Sequence, residues 1–285
     1  MNYQELNLAP GLYFVAVPIG AARDVTLRAL DVLASADFLV AEDTRSLRRL
    51  MEIHGVRLAG RPLRALHDHS KSAVVQELLD VVAAGKSVAY ASEAGMPLIA
   101  DPGFELVRAG VSSGVAMTCA PGPSAVLTAL VLAGLPTDAF FFDGFLPNAA
   151  SARRARLDTL AAIPGTLVFY ESPKRLGAML SDAAGVFGAD RHAVVCRELT
   201  KRFEEVRRGR LADLTEEFSA APTKGEIVVL IDRMRSQTVS EEGLRSALHR
   251  SLRAHSMRDA VDLVARAHAV PRRQVYQLAL TLTKE

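Results

Sequence analysis

From residue 12 onward, short runs rich in β-branched and aromatic residues alternate with stretches whose apolar positions recur every three or four residues. This is the pattern of an α/β domain with a largely parallel sheet. LYFVAV (12–17) reads as the first strand. Asp24 and Thr26 can cap a helix through Leu27, Leu30 and Leu33, and FLVA (38–41) returns as a strand. A helix from about Ser46, a strand LRAL (63–66), a helix over Val74, Val75, Leu78 and Leu79, and strands SVAYA (87–91) and VAMTC (115–119) complete a first unit. It ends at Pro121-Gly122-Pro123.

A second unit opens with the apolar helix SAVLTALVLAGL, and Phe140 to Phe142 follow as a strand leading into Leu146-Pro147. TLVFY (166–170), HAVVC (192–196), FEEVRRG (203–209) and EIVVLI (226–231) read as further strands. The runs near 192 and 203 are too close for a crossover helix, so this sheet must contain antiparallel pairs. RMRSQTV (233–239) reads as a linker before helical stretches at about 240–254, 257–268 and 272–282. The expected division is therefore 1–122, an N-terminal α/β domain; 123–235, a mixed α/β domain; and 236–285, a small helical tail resembling a helix-turn-helix.

Composition narrows the class. With 285 residues, 49% hydrophobic and 23% charged, the chain has ordinary globular usage, which excludes fibrous and disordered readings. The net charge of +2 does not by itself announce a nucleic-acid binder, so any basic surface must be local. Cys119 and Cys196 each sit in an apolar run, where a buried reduced thiol is expected. MNYQELNLAP lacks the basic start and apolar core of a signal peptide, and the longest apolar run, Ala125 to Leu135, is too short for a membrane helix. A cytoplasmic protein is expected.

Four turns dense in Gly, Pro and acidic residues fall at the ends of expected strands, where open α/β sheets bind ligands. They are Pro18-Ile19-Gly20, Glu42-Asp43-Thr44-Arg45, Ser92 to Gly103 and Pro121 to Ala125. Neither G-x-G-x-x-G after the first strand, nor a P-loop, nor a G-x-S-x-G elbow occurs, which disfavours ordinary dinucleotide, phosphate-loop and hydrolase chemistry. His67-x-His69 has no third ligand nearby in sequence, and no metal is expected. Basic residues gather at Arg153, Arg154 and Arg156, at Lys174-Arg175, and in Arg197 to Arg210. Each alone suits a solvated face, but three within sixty residues make a polyanionic partner plausible. The tail adds Arg245, Arg250, Arg253, Arg258, Arg266, Arg272, Arg273 and Lys284.

GLYFVAVPIGAARDVTLRAL, AEDTR, SEAGMPLIADPG, APGPSAVLTAL, FFDGFLP, FYESPKR, RELTKRFEEVRRG and KGEIVVLI, in this order and spacing, closely resemble the tetrapyrrole methylase superfamily, the class III S-adenosylmethionine-dependent methyltransferases. Within it, AEDTR and RELTKRFEE resemble the branch that methylates the cytidine ribose 2′-hydroxyl of 16S ribosomal RNA. The resemblance spans about Gly11 to Ile231, and the helical tail is similar to a short domain many members carry. It implies two α/β domains with the methyl donor, S-adenosylmethionine, in the cleft between them, a homodimer, and the decoding region of 16S rRNA in the small ribosomal subunit as acceptor. Carried over by position, the resemblance places the donor against Pro18, Ile19, Glu93, Ala94, Gly95, Met96, Ser124, Ala125, Tyr170 and Glu171, with Lys224 to Glu226 closing the cleft. Glu93 and Met96 stand where relatives usually have Asp and Thr, Ala21 where they have Asn, and His67-Asp68-His69-Ser70 where they have H-E-H-N.

A ribose hydroxyl is a weak nucleophile while protonated, so Glu198, Glu42 and Asp43 are candidates to accept or orient that proton. Arg45, Arg175, Arg197, Lys201 and Arg202 are candidates for phosphate contacts. A salt bridge is the competing role for Glu198. Two other functions fit less of the chain. A small-tetrapyrrole methylase would want an apolar cleft without the 197–210 stripe, and a non-catalytic RNA-binding module would rely on the tail alone.

Overall fold

The computed structural model describes residues 3–66, 72–100, 103–220, 223–234, 241–267 and 270–282. Residues up to Asp232 form one compact unit, and those from Arg233 onward form a second.

Strands β1 (Gly11–Val15), β2 (Phe38–Ala41), β3 (Leu63–Ala65), β4 (Ser87–Ala91) and β5 (Met117–Ala120) form an all-parallel sheet, ordered β3-β2-β4-β1-β5. Side chains alternate across it. Val15, Leu39, Ala41, Ala89 and Ala91 pack with α1 (Leu27–Ser35) and α2 (Thr44–Ile53). Leu12, Phe14, Val40, Val88 and Tyr90 pack on the other face with α3 (Ser72–Ala83) and α4 (Phe104–Ser112). Helices on both faces bury the strands on both sides, which is why FLVA carries no polar position.

Three local expectations change. The first strand stops at Val15, and Ala16-Val17 lead into the loop beyond it. Thr26, not Asp24, caps α1, its Oγ1 accepting from the Ala29 N–H at 3.1 Å. The second helix starts at Thr44, two residues before Ser46, because the Asp43 carboxylate takes the Arg45 N–H at 2.8 Å and caps it.

Strands β6 (Phe140–Phe145), β7 (Thr166–Glu171), β8 (His192–Arg197), β9 (Glu205–Arg210) and β10 (Ile227–Ile231) form a second sheet, ordered β6-β7-β10-β8-β9. Only the β6–β7 pair is parallel. One face packs on α5 (Ala125–Ala133) through Val168, Val194, Val228 and Leu230. The other is covered by α6 (Ala150–Leu160), α7 (Leu176–Phe187) and α8 (Leu211–Ala220). Ile19, from the loop after β1, is buried in the α5 cluster and so pins the end of the first sheet to the second.

The second unit holds α9 (Glu241–Leu252), α10 (Met257–Ala267) and α11 (Arg272–Leu282) around its own core of Leu244, Leu248, Val261, Val264 and Val275. Arg272 pairs with Asp262, and Lys284 lies outside the described residues.

The Arg153 cluster is not a solvated helix face. Arg153 is buried and binds Asp182 together with Arg154, while Arg156 pairs with Asp143. Of the cysteines, Cys196 is buried, its thiol pushed up to about 11 by desolvation, whereas Cys119 is only half-buried. Among the described residues no helix is long and apolar enough to cross a membrane.

Candidate functional site

The carboxyl ends of β1 and β4 lie side by side, and their loops are stitched together. Val17 N donates to Gly95 O at 2.9 Å, and Gly95 N donates to Val17 O at 3.0 Å. This clamp fixes Pro18-Ile19 against Glu93 to Met96 at the sheet edge where open α/β folds bind ligands. Opposite them stand the capped start of α5, where Ser124 Oγ accepts from the Leu127 N–H, and the end of β7 at Tyr170 and Glu171. The enclosed cleft has a volume of about 610 Å³. All ten residues carried over as donor contacts, Pro18, Ile19, Glu93, Ala94, Gly95, Met96, Ser124, Ala125, Tyr170 and Glu171, line it.

The turn after β8 forms another wall. Glu198 Oε1 accepts from the Glu226 N–H at 3.0 Å and from Lys201 Nζ at 3.0 Å, and Lys201 reaches Glu226 Oε2 at 2.9 Å. The Glu226 amide, followed by Lys201, holds the Glu198 carboxyl below its usual range. Burial presses the Lys201 ammonium down, but its pairs with Glu226 and Glu198 outweigh that and raise it. Ala21 N donates to Thr200 Oγ1 at 3.0 Å, so the β1 loop rests on this turn. Leu98, Ala100, Glu198 and Thr200 all have positive φ although none is glycine, and all lie in the two loops that wall the cleft. Backbone held in this sparsely populated region is what preorganised ligand clamps show.

The remaining predicted residues have separate places. Asp43 caps α2 and binds Arg45, whose guanidinium drives the carboxyl down to about 2. Glu42 Oε2 accepts from the Glu93 N–H at 3.2 Å. Arg175 faces inward, bound to buried Glu171, to the Leu146 carbonyl and to Asn148. Arg197 is held by Glu205 and donates to the Lys224 carbonyl. Arg202 lies over the Phe203 ring, 5.5 Å from its centroid, and is exposed. The structure therefore does not leave Arg175 and Arg197 as outward phosphate contacts, because a carboxylate and a backbone carbonyl already hold each one. Among the described residues no group of three or more His, Cys, Asp or Glu side chains stands ready to hold a metal ion; His67 and His69 lie outside them.

The cleft also includes residues that were not among the expected site residues, notably Ser46, Phe145, Ser172 and Leu199. Phe145, exposed at the end of β6 and packed edge-on to Tyr170 at 5.7 Å, lies beyond the strand expected at Phe140 to Phe142 and was signalled only by its place in FFDGFLP. The buried members have no such signal.

A model of the tetrapyrrole (corrin/porphyrin) methylases matches residues 11–215, and one of the RsmI C-terminal HTH domain matches residues 238–283. A ribosomal RNA small subunit methyltransferase I of Mesorhizobium japonicum is 47% identical over 225 residues, covering 79% of this chain and 76% of its own. That of Xylella fastidiosa is 41% identical, covering 94% of this chain and 98% of its own. Among solved structures, a uroporphyrin-III C-methyltransferase from Thermus thermophilus, complexed with S-adenosyl homocysteine, superposes with a TM-score of 0.55 at 18% identity over 77% of this chain and 96% of its own.

Proposed function

Since the chain belongs to the tetrapyrrole methylase family, and within it to the ribosomal RNA small subunit methyltransferase I group, we propose that it methylates the ribose 2′-hydroxyl of a cytidine in the decoding region of 16S rRNA, with S-adenosylmethionine as donor. The observation that carries this reading is the convergence of four distant segments, at 18–19, 93–96, 124–125 and 170–171, on one cleft. Its volume of about 610 Å³ lies within the range of small-molecule sites, about 300–1,000 Å³. Small residues at Ala94, Gly95 and Ala125 let backbone approach a ligand closely, while Met96, Ile99 and Leu199 give it apolar walls.

When bound there, the donor supplies a methyl group made electrophilic by its sulfonium. The chain's own residues then hold the acceptor in line with it, and placement of this kind supplies much of the rate enhancement. Of the three candidate carboxylates, Asp43 and Glu198 are acidified by their partners and so are weak proton acceptors. They act as positioning groups: Asp43 for Arg45, Glu198 for Lys201 and the Gly225-Glu226 wall. Glu42, whose Oε2 accepts from the N–H of the cleft-lining Glu93, is the proposed proton acceptor. Exposed Arg45 and Arg202 are the proposed phosphate contacts, while Arg175, Arg197 and Lys201 brace the cleft.

In this reading the chain divides at 122/123 and 235/236, works in the cytoplasm and forms a homodimer. The outward apolar side chains of α5, Leu127 and Val131, suit a surface covered by a second copy. The test is transfer of labelled methyl from S-adenosylmethionine to small ribosomal subunits that lack the modification, with a tetrapyrrole acceptor in parallel. Labelled rRNA supports the proposal; labelled tetrapyrrole and unlabelled rRNA refute it.

A further inference from the structure

Beside the cleft lies a second, more open groove of about 560 Å³, formed where α2 faces the turn after β1. It shares Pro18, Gly20, Ser46 and Glu93 with the cleft, so one begins where the other ends. Its floor is aliphatic, with buried Val17, Leu47 and Leu50 beside exposed Ile53. Its rim carries the guanidinium groups of Arg45 and Arg49, whose side chains are 90% and 74% exposed. Among the described residues Arg49 pairs only with Glu52, at 3.7 Å and itself in solvent, a contact that a phosphate readily replaces. Arg48, the neighbouring residue on α2, is exposed as well.

The β8–β9 stripe, which has more basic residues, is differently disposed. Arg207 sits between Glu205 and Glu217, Arg210 between Asp213 and Asp190, and Arg208 donates to the carbonyls of Leu132 and Ala133. A phosphate arriving there must displace two carboxylates or two carbonyls from each arginine, whereas on α2 Arg45 is held by the single carboxylate of Asp43 and Arg49 by the solvent-exposed Glu52. On α2 the cations stand over an apolar floor that leads directly to the reaction cleft. A planar guanidinium matches a phosphate's two oxygens, and an aliphatic floor accepts the face of a sugar or base.

We propose that this groove is the track of the acceptor strand: single-stranded RNA beside the target nucleotide lies along α2, with its phosphates at Arg45 and Arg49, and the target sugar passes Ser46 and Glu93 into the cleft. The inference rests on the methyltransferase reading above and deepens it, placing the acceptor strand on α2 rather than on the paired arginines of β9, Arg207, Arg208 and Arg210.

The test compares Arg49→Glu and Arg49→Ala with Arg207→Ala. Each is checked for folding by circular dichroism, for donor-site integrity by calorimetry with S-adenosyl homocysteine, and for RNA binding by anisotropy with a labelled single-stranded decoding-region fragment over a salt series. Arg49→Glu is expected to weaken RNA binding at least about fivefold and to flatten the salt slope by about one, with unchanged affinity for S-adenosyl homocysteine. Arg207→Ala is expected to stay within about twofold of wild type. Arg49→Glu binding RNA as tightly as wild type, or Arg207→Ala losing more than Arg49→Ala, overturns the track. Failure of the parent reading looks different: wild-type protein then binds the fragment but transfers no methyl to any RNA.

Discussion

Replacing Gly20 with Ala probes how the cleft is held together. A Cβ at Gly20 would lie 2.5 Å from Lys201 Cγ, 2.7 Å from Thr200 Oγ1 and 3.0 Å from the Leu199 carbonyl oxygen. The lysine carbon can swing away. The Leu199 carbonyl belongs to a turn fixed by the Glu198–Glu226 backbone bond and by Glu204, which takes the Thr200 N–H at 2.6 Å. Relief therefore comes from the Pro18–Gly20 loop and the 199–201 turn moving apart, which also breaks the Ala21–Thr200 bond at 3.0 Å. Overpacking of this kind costs about 1–3 kcal/mol. Both loops line the cleft, so a similar loss should appear as donor affinity falling about 5- to 150-fold. Gly185→Ala is the matched control: it sits exposed in α7, and a Cβ there meets nothing within 4 Å. It should stabilise the protein by about 0.5–1 kcal/mol through helix propensity. Urea unfolding and calorimetric titration of S-adenosyl homocysteine read both effects. A Gly20→Ala protein as stable as wild type, with unchanged affinity, would show that the two loops are not held together by this contact.

Three further outcomes follow from the ion pairs and thiols. Glu198→Gln should cost about 1 kcal/mol at pH 7 by removing charge-assisted bonds to Lys201 and Glu226. The folded carboxyl is lowered below its ordinary 4.5, so its contribution is complete above that value and is lost as pH falls through the lower folded one. Urea midpoints of variant and wild type should therefore converge on acidification, and a constant gap down to pH 3 argues against the pair. Arg153→Met should destabilise by roughly 3 kcal/mol, since Asp182 is left in a site where its side chain is only 12% exposed; a shift under about 1 kcal/mol in denaturant unfolding would show that Arg154 suffices. With its thiol pushed up to about 11, Cys196 should resist iodoacetamide at pH 8 until the protein unfolds, while half-buried Cys119 reacts first; peptide mapping that finds Cys196 alkylated in the native protein contradicts this.

Most strands were legible because they are short apolar runs bounded by turn residues, and the antiparallel character of the second sheet followed from the short distance between its third strand and the charged fourth, EVRRGR. What the hydrophobic pattern did not carry was long-range pairing. Arg153 meets Asp182 and Arg207 meets Glu217, so clusters that look like free positive charge along the chain are largely neutralised in space. Helix α2 showed the same limit locally, because its start depends on whether Asp43 or Ser46 supplies the cap. The lining of the cleft was more legible, since its segments are loops whose Gly, Pro and acidic residues stand out against apolar strands. Roles were harder to read than places. The Glu198 carboxylate sits beside the cleft, yet its partners, the Glu226 amide and Lys201, suit it to bracing a turn.

The most direct measurement is to map the methyl group itself. Small ribosomal subunits lacking the modification are incubated with the protein and labelled S-adenosylmethionine, and the 16S rRNA is then hydrolysed with alkali. Methylation of a 2′-oxygen blocks cleavage of the adjacent phosphodiester bond. Label is expected at one decoding-region cytidine, in an alkali-resistant dinucleotide. Label on a base, on another RNA, or only on a tetrapyrrole contradicts it.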